Sequence, residues 1–176
     1  MRPIETRRLL LIPGTGESGR AELQSPVALA EFLDVDVEAG WPPDLYDADA
    51  IGYMVALLER DVEAAGWGFY YFALRRPSAI PLLIGAGGYK GKPGEDGTVE
   101  IGYSVLAAHQ RRGYATEAAT GLIARAFADP RVTRVIAETL PDLVASIGVL
   151  KRIGFRLLSE GLEPGVMRFE LKRPAC

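Results

Sequence analysis

The run VEIGYSVLAAHQRRGYATEAATGLIARAF, from Val99 to Phe127, decides how the rest of the chain is read. Its first part, Thr98 to Leu106, is rich in β-branched and apolar residues and free of proline, which predicts a buried strand. Its second part repeats apolar side chains at helical spacing, with Ala115, Ala119, Leu122 and Ala126 in one stripe and Ile123 and Phe127 beside it. Between them stands Gln110-Arg111-Arg112-Gly113-Tyr114-Ala115, where the strand ends and the helix begins. The first amides of a helix have no partner inside it, the dipole is positive there, and glycine admits a ligand close to the backbone. Arg111 and Arg112 add formal charge at the same place. The junction predicts an anion site, and its expected guest is a phosphorylated molecule.

Working outward, the 176 residues are read as a single domain, 1–176, long enough to bury a proper core. Apolar residues make up 48% and charged residues 24%, the balance of an ordinary globular protein. A net charge of −3 argues against nucleic-acid binding as the main activity. No apolar run approaches the ~18 residues of a membrane span, and the run Leu9 to Ile12 is too short for a signal-peptide core. The expected compartment is cytoplasmic. Cys176 is the only cysteine and His109 the only histidine, so neither a disulfide framework nor a thiolate or multi-histidine metal site is expected. A hydrolytic triad would have to use His109, which is otherwise read as a surface histidine.

Two other glycine patterns compete for phosphate. Gly14-Thr15-Gly16-Glu17-Ser18-Gly19 matches the dinucleotide fingerprint after the strand Arg7 to Ile12. That fingerprint needs a helix starting within the glycines, whereas Ser25-Pro26 reads as an N-cap with proline at N1. The glycines are therefore expected in a surface loop. Gly91-Lys92 fails as a phosphate loop, because Ala86 and Pro93 occupy positions that need glycine and serine or threonine.

The remaining elements follow from periodicity. Helices are expected at Pro26 to Leu33, with Ala28, Leu29 and Phe32 available for burial, and at Asp47 to Ala65. The segment between them is irregular, and Trp41, held by two prolines, is either a core plug or the wall of a substrate site. Trp67 to Leu74 and Ile80 to Tyr89 predict a hairpin. Val132 to Thr139 is a further strand, and a helix capped by Asp142 runs to Gly154. Phe155 to Leu158 and Val166 to Leu171 close the chain as strands. This is an α+β order of mixed layers, not a doubly wound sheet.

Gln110 to Ala115, continued by Thr116-Glu117-Ala118, resembles the Q/R-x-x-G-x-G/A signature of the GNAT acetyltransferases. Glu100-Ile101-Gly102-Tyr103, the run Ile4 to Leu11, and Ala145-Ser146 through Leu150-Lys151-Arg152-Ile153-Gly154-Phe155 resemble its RimJ/RimL-type (ribosomal-protein N-acetyltransferase) branch. The resemblance implies a mixed, mostly antiparallel sheet of about seven strands, splayed between its fourth and fifth strands and flanked by about four helices. It implies acetyl-CoA as cosubstrate and no metal. The pyrophosphate would lie on the amides around Arg111, Arg112, Gly113, Tyr114 and Ala115, with Gln110 and Thr116 at the edges of the site. Backbone groups at Val105 and Leu106 would hold the pantetheine and acetyl portion, where an amide aimed at the oxyanion is worth roughly 3–4 kcal/mol.

The implied reaction is direct attack of a primary amine on the thioester, which needs a base for the ammonium and an acid for the thiolate. Glu100 is the candidate base, acting through water with a raised pKa; the competing reading is a solvated strand-end glutamate. Relatives carry a tyrosine acid where this chain has Leu150, leaving Ser146 as the candidate acid, or as a helix-face hydroxyl with a structural bond. Leu143 stands where the branch usually carries asparagine. The acceptor is expected to be a protein N-terminus or a small-molecule amine, with no nucleic acid or membrane partner and a homodimer allowed. The aromatic segments Trp41 to Tyr46, Trp67 to Tyr71 and Gly85 to Tyr89 favour a partly apolar acceptor. Two alternatives stay open: a CoA-binding sensor or interaction module with little catalysis, and a dinucleotide-binding protein using Gly14 to Gly19.

Overall fold

The computed structural model describes residues 1–61, 64–161 and 163–174. Cys176 and part of the expected Asp47 to Ala65 helix lie outside the described residues. The strands are β1 (Ile4–Glu5), β2 (Leu9–Pro13), β3 (Asp36–Val37), β4 (Phe69–Arg76), β5 (Ala79–Tyr89), β6 (Thr98–Val105), β7 (Arg134–Thr139), β8 (Arg156–Glu160) and β9 (Met167–Lys172). The helices are α1 (Gly16–Gln24), α2 (Pro26–Leu33), α3 (Ala48–Arg60), α4 (Tyr114–Ala128) and α5 (Val144–Ile153).

Eight of these strands form one path in the order β1-β2-β4-β5-β6-β7-β9-β8, with β3 paired to β5. Neighbours are antiparallel except β6 with β7 and β3 with β5. The sheet is thus mixed and mostly antiparallel, as expected, with nine strands and five helices among the described residues. The additional pieces are two-residue strands and α1, too short to show a period of their own.

The sheet is buried on both faces, which explains the near-continuous apolar run of β4. Phe69, Tyr71 and Ala73 point into a cluster with Leu29, Ile51, Val55 and Leu106, under α1 to α3. Tyr70 and Phe72 point the other way, into a cluster with Val99, Ile101, Ala119, Leu122 and Leu150, under α4 and α5. Ala118, Ala119, Leu122 and Ala126 have no exposed surface; three alanines let α4 sit close on the sheet.

Three local expectations are corrected. Gly14 to Gly19 is not a surface loop. Thr15 caps α1, its hydroxyl accepting from the Ser18 amide while Ser18 Oγ accepts from the Thr15 amide, a reciprocal cap that helical periodicity does not reveal. Asp142 is not the cap of α5. The helix starts one residue later, and Leu143 holds the cap position with no side-chain hydrogen bond. Phe32 is half exposed rather than buried, while Leu29 carries the inner face of α2.

Candidate functional site

β6 and β7 run in register at only three positions, Thr98 with Arg134, Val99 with Val135 and Glu100 with Ile136. Beyond Glu100, β6 stays paired to β5 through Val105 while β7 continues against β9 to Thr139. The sheet therefore opens between two parallel strands. Lys90 N donates to Glu100 O and Leu106 N to Ile84 O, so the even-numbered residues of β6 direct their backbone groups to β5. By strand alternation, Tyr103 and Val105 turn theirs to the opened side. Val105 thus borders the opening, whereas the Leu106 amide is committed to β5.

A 3-10 turn, Ala107–His109, leads from β6 to the junction, where Arg111 (φ 59°) and Gly113 (φ 79°) both take left-handed conformations. Gly113 is the N-cap of α4 and supplies no side-chain bond to it. The earliest α4 amide to reach an acceptor at the cap is that of Glu117, which donates to Gly113 O. The amides of Tyr114, Ala115 and Thr116 precede it and point out of the helix end. Thr116 Oγ1 is buried without a partner among the described residues. The side chains of Arg111 and Arg112 are exposed and form no ion pair among the described residues. Gln110 does not face the amides; its Nε2 donates to Val105 O at 3.0 Å and ties the junction to the strand.

A brace missed in the sequence fixes this helix end. Glu117 accepts from Thr6 Oγ1 (2.7 Å), the Arg8 amide (2.6 Å) and Arg8 Nε (2.7 Å). Burial pushes the Glu117 carboxyl up, but these donors outweigh it and hold it below the usual range. Arg8 also donates to Arg112 O at 3.1 Å and lies 4.4 Å over the Tyr114 ring, whose role here is packing. Arg8 thus brings a third cation to the junction. Its only sequence signal is two arginines before a strand, and nothing local tells which one turns inward.

Glu100 occupies the apex of the opening, with its side chain on the face of β6 opposite Tyr103. It is paired with Lys90 and borders a shallow pocket of about 290 Å³ lined also by Lys92, Asp96 and Thr98. On the same face Gly102 meets open space, and Ser104 Oγ donates to Asp44 O at 2.6 Å. On the other face, Tyr103 Oη approaches Ser146 O (3.4 Å) and Oγ (3.5 Å) on α5. Ser146 is therefore at the opening, and Tyr103, absent from the sequence-based set, is beside it. Leu150, one turn further, is buried and carries no polar atom in its side chain.

The aromatic segments do not form the expected apolar wall. Trp41 is a core plug: Trp41 Nε1, Tyr46 Oη and Tyr71 Oη all donate to buried Glu22, at 2.8, 2.9 and 2.9 Å. Burial pushes this carboxyl up against the pull of the three donors. Trp67 packs under Arg125, and Tyr89 donates to Leu122 O. His109 is not a surface residue. It is 8% exposed, with Nε2 2.9 Å from Glu38 Oε2. At Gly14 and Gly19 a Cβ would fall 2.2 Å from the Phe69 ring and 2.3 Å from Val55, so these glycines serve packing. The amide of Gly14 donates to Phe69 O and that of Gly19 to Thr15 O, which leaves neither for a dinucleotide.

An opened pair of parallel strands thus leads into a helix start with no side-chain cap. The profile of the acetyltransferase (GNAT) domain matches residues 22–156. The uncharacterised N-acetyltransferase YjdG of Bacillus subtilis is 30% identical over 165 residues, covering 91% of this chain and 93% of that protein. The chain belongs to the GNAT acetyltransferases. An acetyltransferase from Agrobacterium tumefaciens shares the fold with a TM-score of 0.64 at 23% identity, over 98% of this chain and 95% of that one. So does the microcin C7 self-immunity acetyltransferase MccE, in complex with acetyl-CoA and AMP, with a TM-score of 0.60 at 15% identity, over 95% and 93%.

Proposed function

We propose that this protein is an acetyl-CoA-dependent N-acetyltransferase of the RimJ/RimL type, acting on a primary amine by direct attack on the thioester. The observation that carries this reading is the continuity of the β6 edge, open at Tyr103 and at the Val105 amide, with the uncapped amides after Gly113. One surface offers hydrogen bonds to an amide-containing arm, the other to a pyrophosphate. MccE, which binds acetyl-CoA on a similar fold, supports the same guest. Arg8, Arg111 and Arg112 offset its charge, and Gln110 acts by holding the junction to Val105.

The acceptor approaches from the Glu100 face, where Gly102 leaves space. Glu100 takes the ammonium proton, and the neutral amine attacks the carbonyl carbon. The C–N bond forms, the C–S bond breaks, and the thiolate is protonated from the opposite face. A protein N-terminus or a small-molecule amine fits this scheme, in the cytoplasm.

Titration with acetyl-CoA and with NAD(P) tests the guest; saturable NAD(P) binding without CoA binding overturns the reading. Thiol release over a panel of alkylamines and N-terminally free peptides tests transfer. Glu100→Gln should lower turnover by roughly 10²-fold, most below the amine's pKa, with acetyl-CoA affinity near normal. An unaltered pH–rate profile removes Glu100 from the mechanism. A second reading, a CoA-binding sensor, is favoured by Leu143 and Leu150; binding with no turnover on any amine would select it.

A further inference from the structure

We propose that Tyr103 is the acid that protonates the departing thiolate, replacing from the sheet the group that α5 lacks at Leu150. This inference rests on the acetyl-transfer reading above.

Three observations on this residue lead to it. Tyr103 lies three residues past the last β6–β7 pair, about 10 Å along the strand, so its backbone faces the opening and not a partner strand. Its side chain shares the face of Val99, Ile101 and Val105, the face covered by α4 and α5. Its hydroxyl crosses to α5 and meets Ser146 only at 3.4 and 3.5 Å, long for O–H···O bonds. The hydroxyl therefore has donor capacity to redirect to a better acceptor.

The four buried phenols are committed. Tyr46 and Tyr71 donate to Glu22, Tyr70 to Gly66 O and Tyr89 to Leu122 O. Burial pushes the Tyr103 phenol up, opposed by the contact with Ser146, so it holds its proton through the neutral range. An acyl-thioester arm bonded to the edge at Tyr103 and the Val105 amide runs past the strand position from which the Tyr103 side chain leaves towards α5.

The protons balance. The neutral amine attacks and its nitrogen becomes cationic. Collapse breaks C–S, and the sulfur takes the proton of Tyr103 Oη as it leaves. The phenolate is restored by the proton shed from the new amide nitrogen, carried by solvent or through Ser146 Oγ. Base and acid thus act from opposite faces of one strand, Glu100 towards the acceptor and Tyr103 towards the donor.

The test compares wild type with Tyr103→Phe, which keeps the ring and removes only the oxygen. Expected are a kcat reduced about 10²-fold, acetyl-CoA affinity within about twofold, and an unchanged melting temperature. Ser146→Ala should cost only a few-fold. A second readout needs no acceptor. A phenol beside the sulfur stabilises the thiolate, so affinity for free CoA should climb with pH across the thiol titration in wild type, climb less in Tyr103→Phe, and stay flat for desulfo-CoA.

Equal kcat in the two proteins, or equal pH dependence of CoA binding, overturns the proposal. A Tyr103→Phe protein that loses acetyl-CoA affinity in proportion to its activity overturns it too, by assigning Tyr103 to cofactor binding. If wild type itself fails to bind acetyl-CoA, the acetyl-transfer reading fails instead, and the two outcomes are distinct.

Discussion

Single residues divide here by whether their backbone or their side chain matters. Gly113 acts through what it lacks. Its φ of 79° is strained for any other residue, and an added Cβ would meet Arg8 Nη2 at 3.5 Å on the side where a phosphate would approach. Gly113→Val should weaken acetyl-CoA binding at least tenfold, read by titration calorimetry, with the circular-dichroism spectrum retained. Unchanged affinity would place the anion site elsewhere. Gln110 and His109 were equally visible in the sequence, yet their roles were not. Gln110 turns back to Val105 O and His109 turns inward to Glu38, and both directions depend on the 3-10 turn Ala107–His109, which the sequence does not announce. Tyr103 carries no signal of its own in the sequence, since a tyrosine in a strand is ordinary until a helix is placed opposite it.

At the scale of elements, α4 and α5 start in contrasting ways. α4 has no side-chain cap, but the β1–β2 turn braces it through Thr6, Arg8 and Glu117, with Arg8 and Glu117 109 positions apart in the chain. Glu117→Gln leaves at least one of three donors facing an amide nitrogen, a loss of about 2 kcal/mol for hydrogen bonds to a charge. For a chain of this size that is a fall of roughly 4–8 °C in Tm. The pH dependence follows from the depressed carboxyl. Its contribution is full above the ordinary glutamate value of 4.5 and is lost as pH falls through the lower folded-state value. The gap between wild type and variant should therefore be widest near neutrality and narrow on acidification, measured by denaturant unfolding. A gap independent of pH would show that packing, not the carboxylate, holds the brace. α5 has neither cap nor brace at Leu143, which the sequence announced only as a missing asparagine.

For the whole molecule, the opening between β6 and β7 joins two halves of one sheet through three paired positions. A ligand that bonds both the β6 edge and the α4 amides binds the folded form alone. Acetyl-CoA at a hundred times its Kd should add about 2.7 kcal/mol, or roughly 5–11 °C in Tm, while NAD(P) at equal concentration should add nothing. A shift with NAD(P) and none with acetyl-CoA would contradict the site. The order of elements along the chain and the position of the strand-to-helix junction were legible beforehand, because strand alternation, helical period and Gly113 are local signals. The pairing of β3 and the burial of Glu22 were not, since each depends on partners distant in the chain, and the Thr15–Ser18 cap of α1 is local but leaves no mark in the helical period.

By itself, the sequence determined the α+β order of elements, the apolar stripe of α4 and the strand-to-helix junction at Gly113. Those follow from periods of two and 3.6 residues and from the one residue type that tolerates a positive φ. Only the tertiary structure decided where the sheet opens, which edge of β6 is free, that the Leu106 amide is committed and the Val105 amide is not, and that Tyr103 faces Ser146. A strand's two edges and two faces are equivalent in sequence. They become different only when one neighbour stays in register and the other leaves.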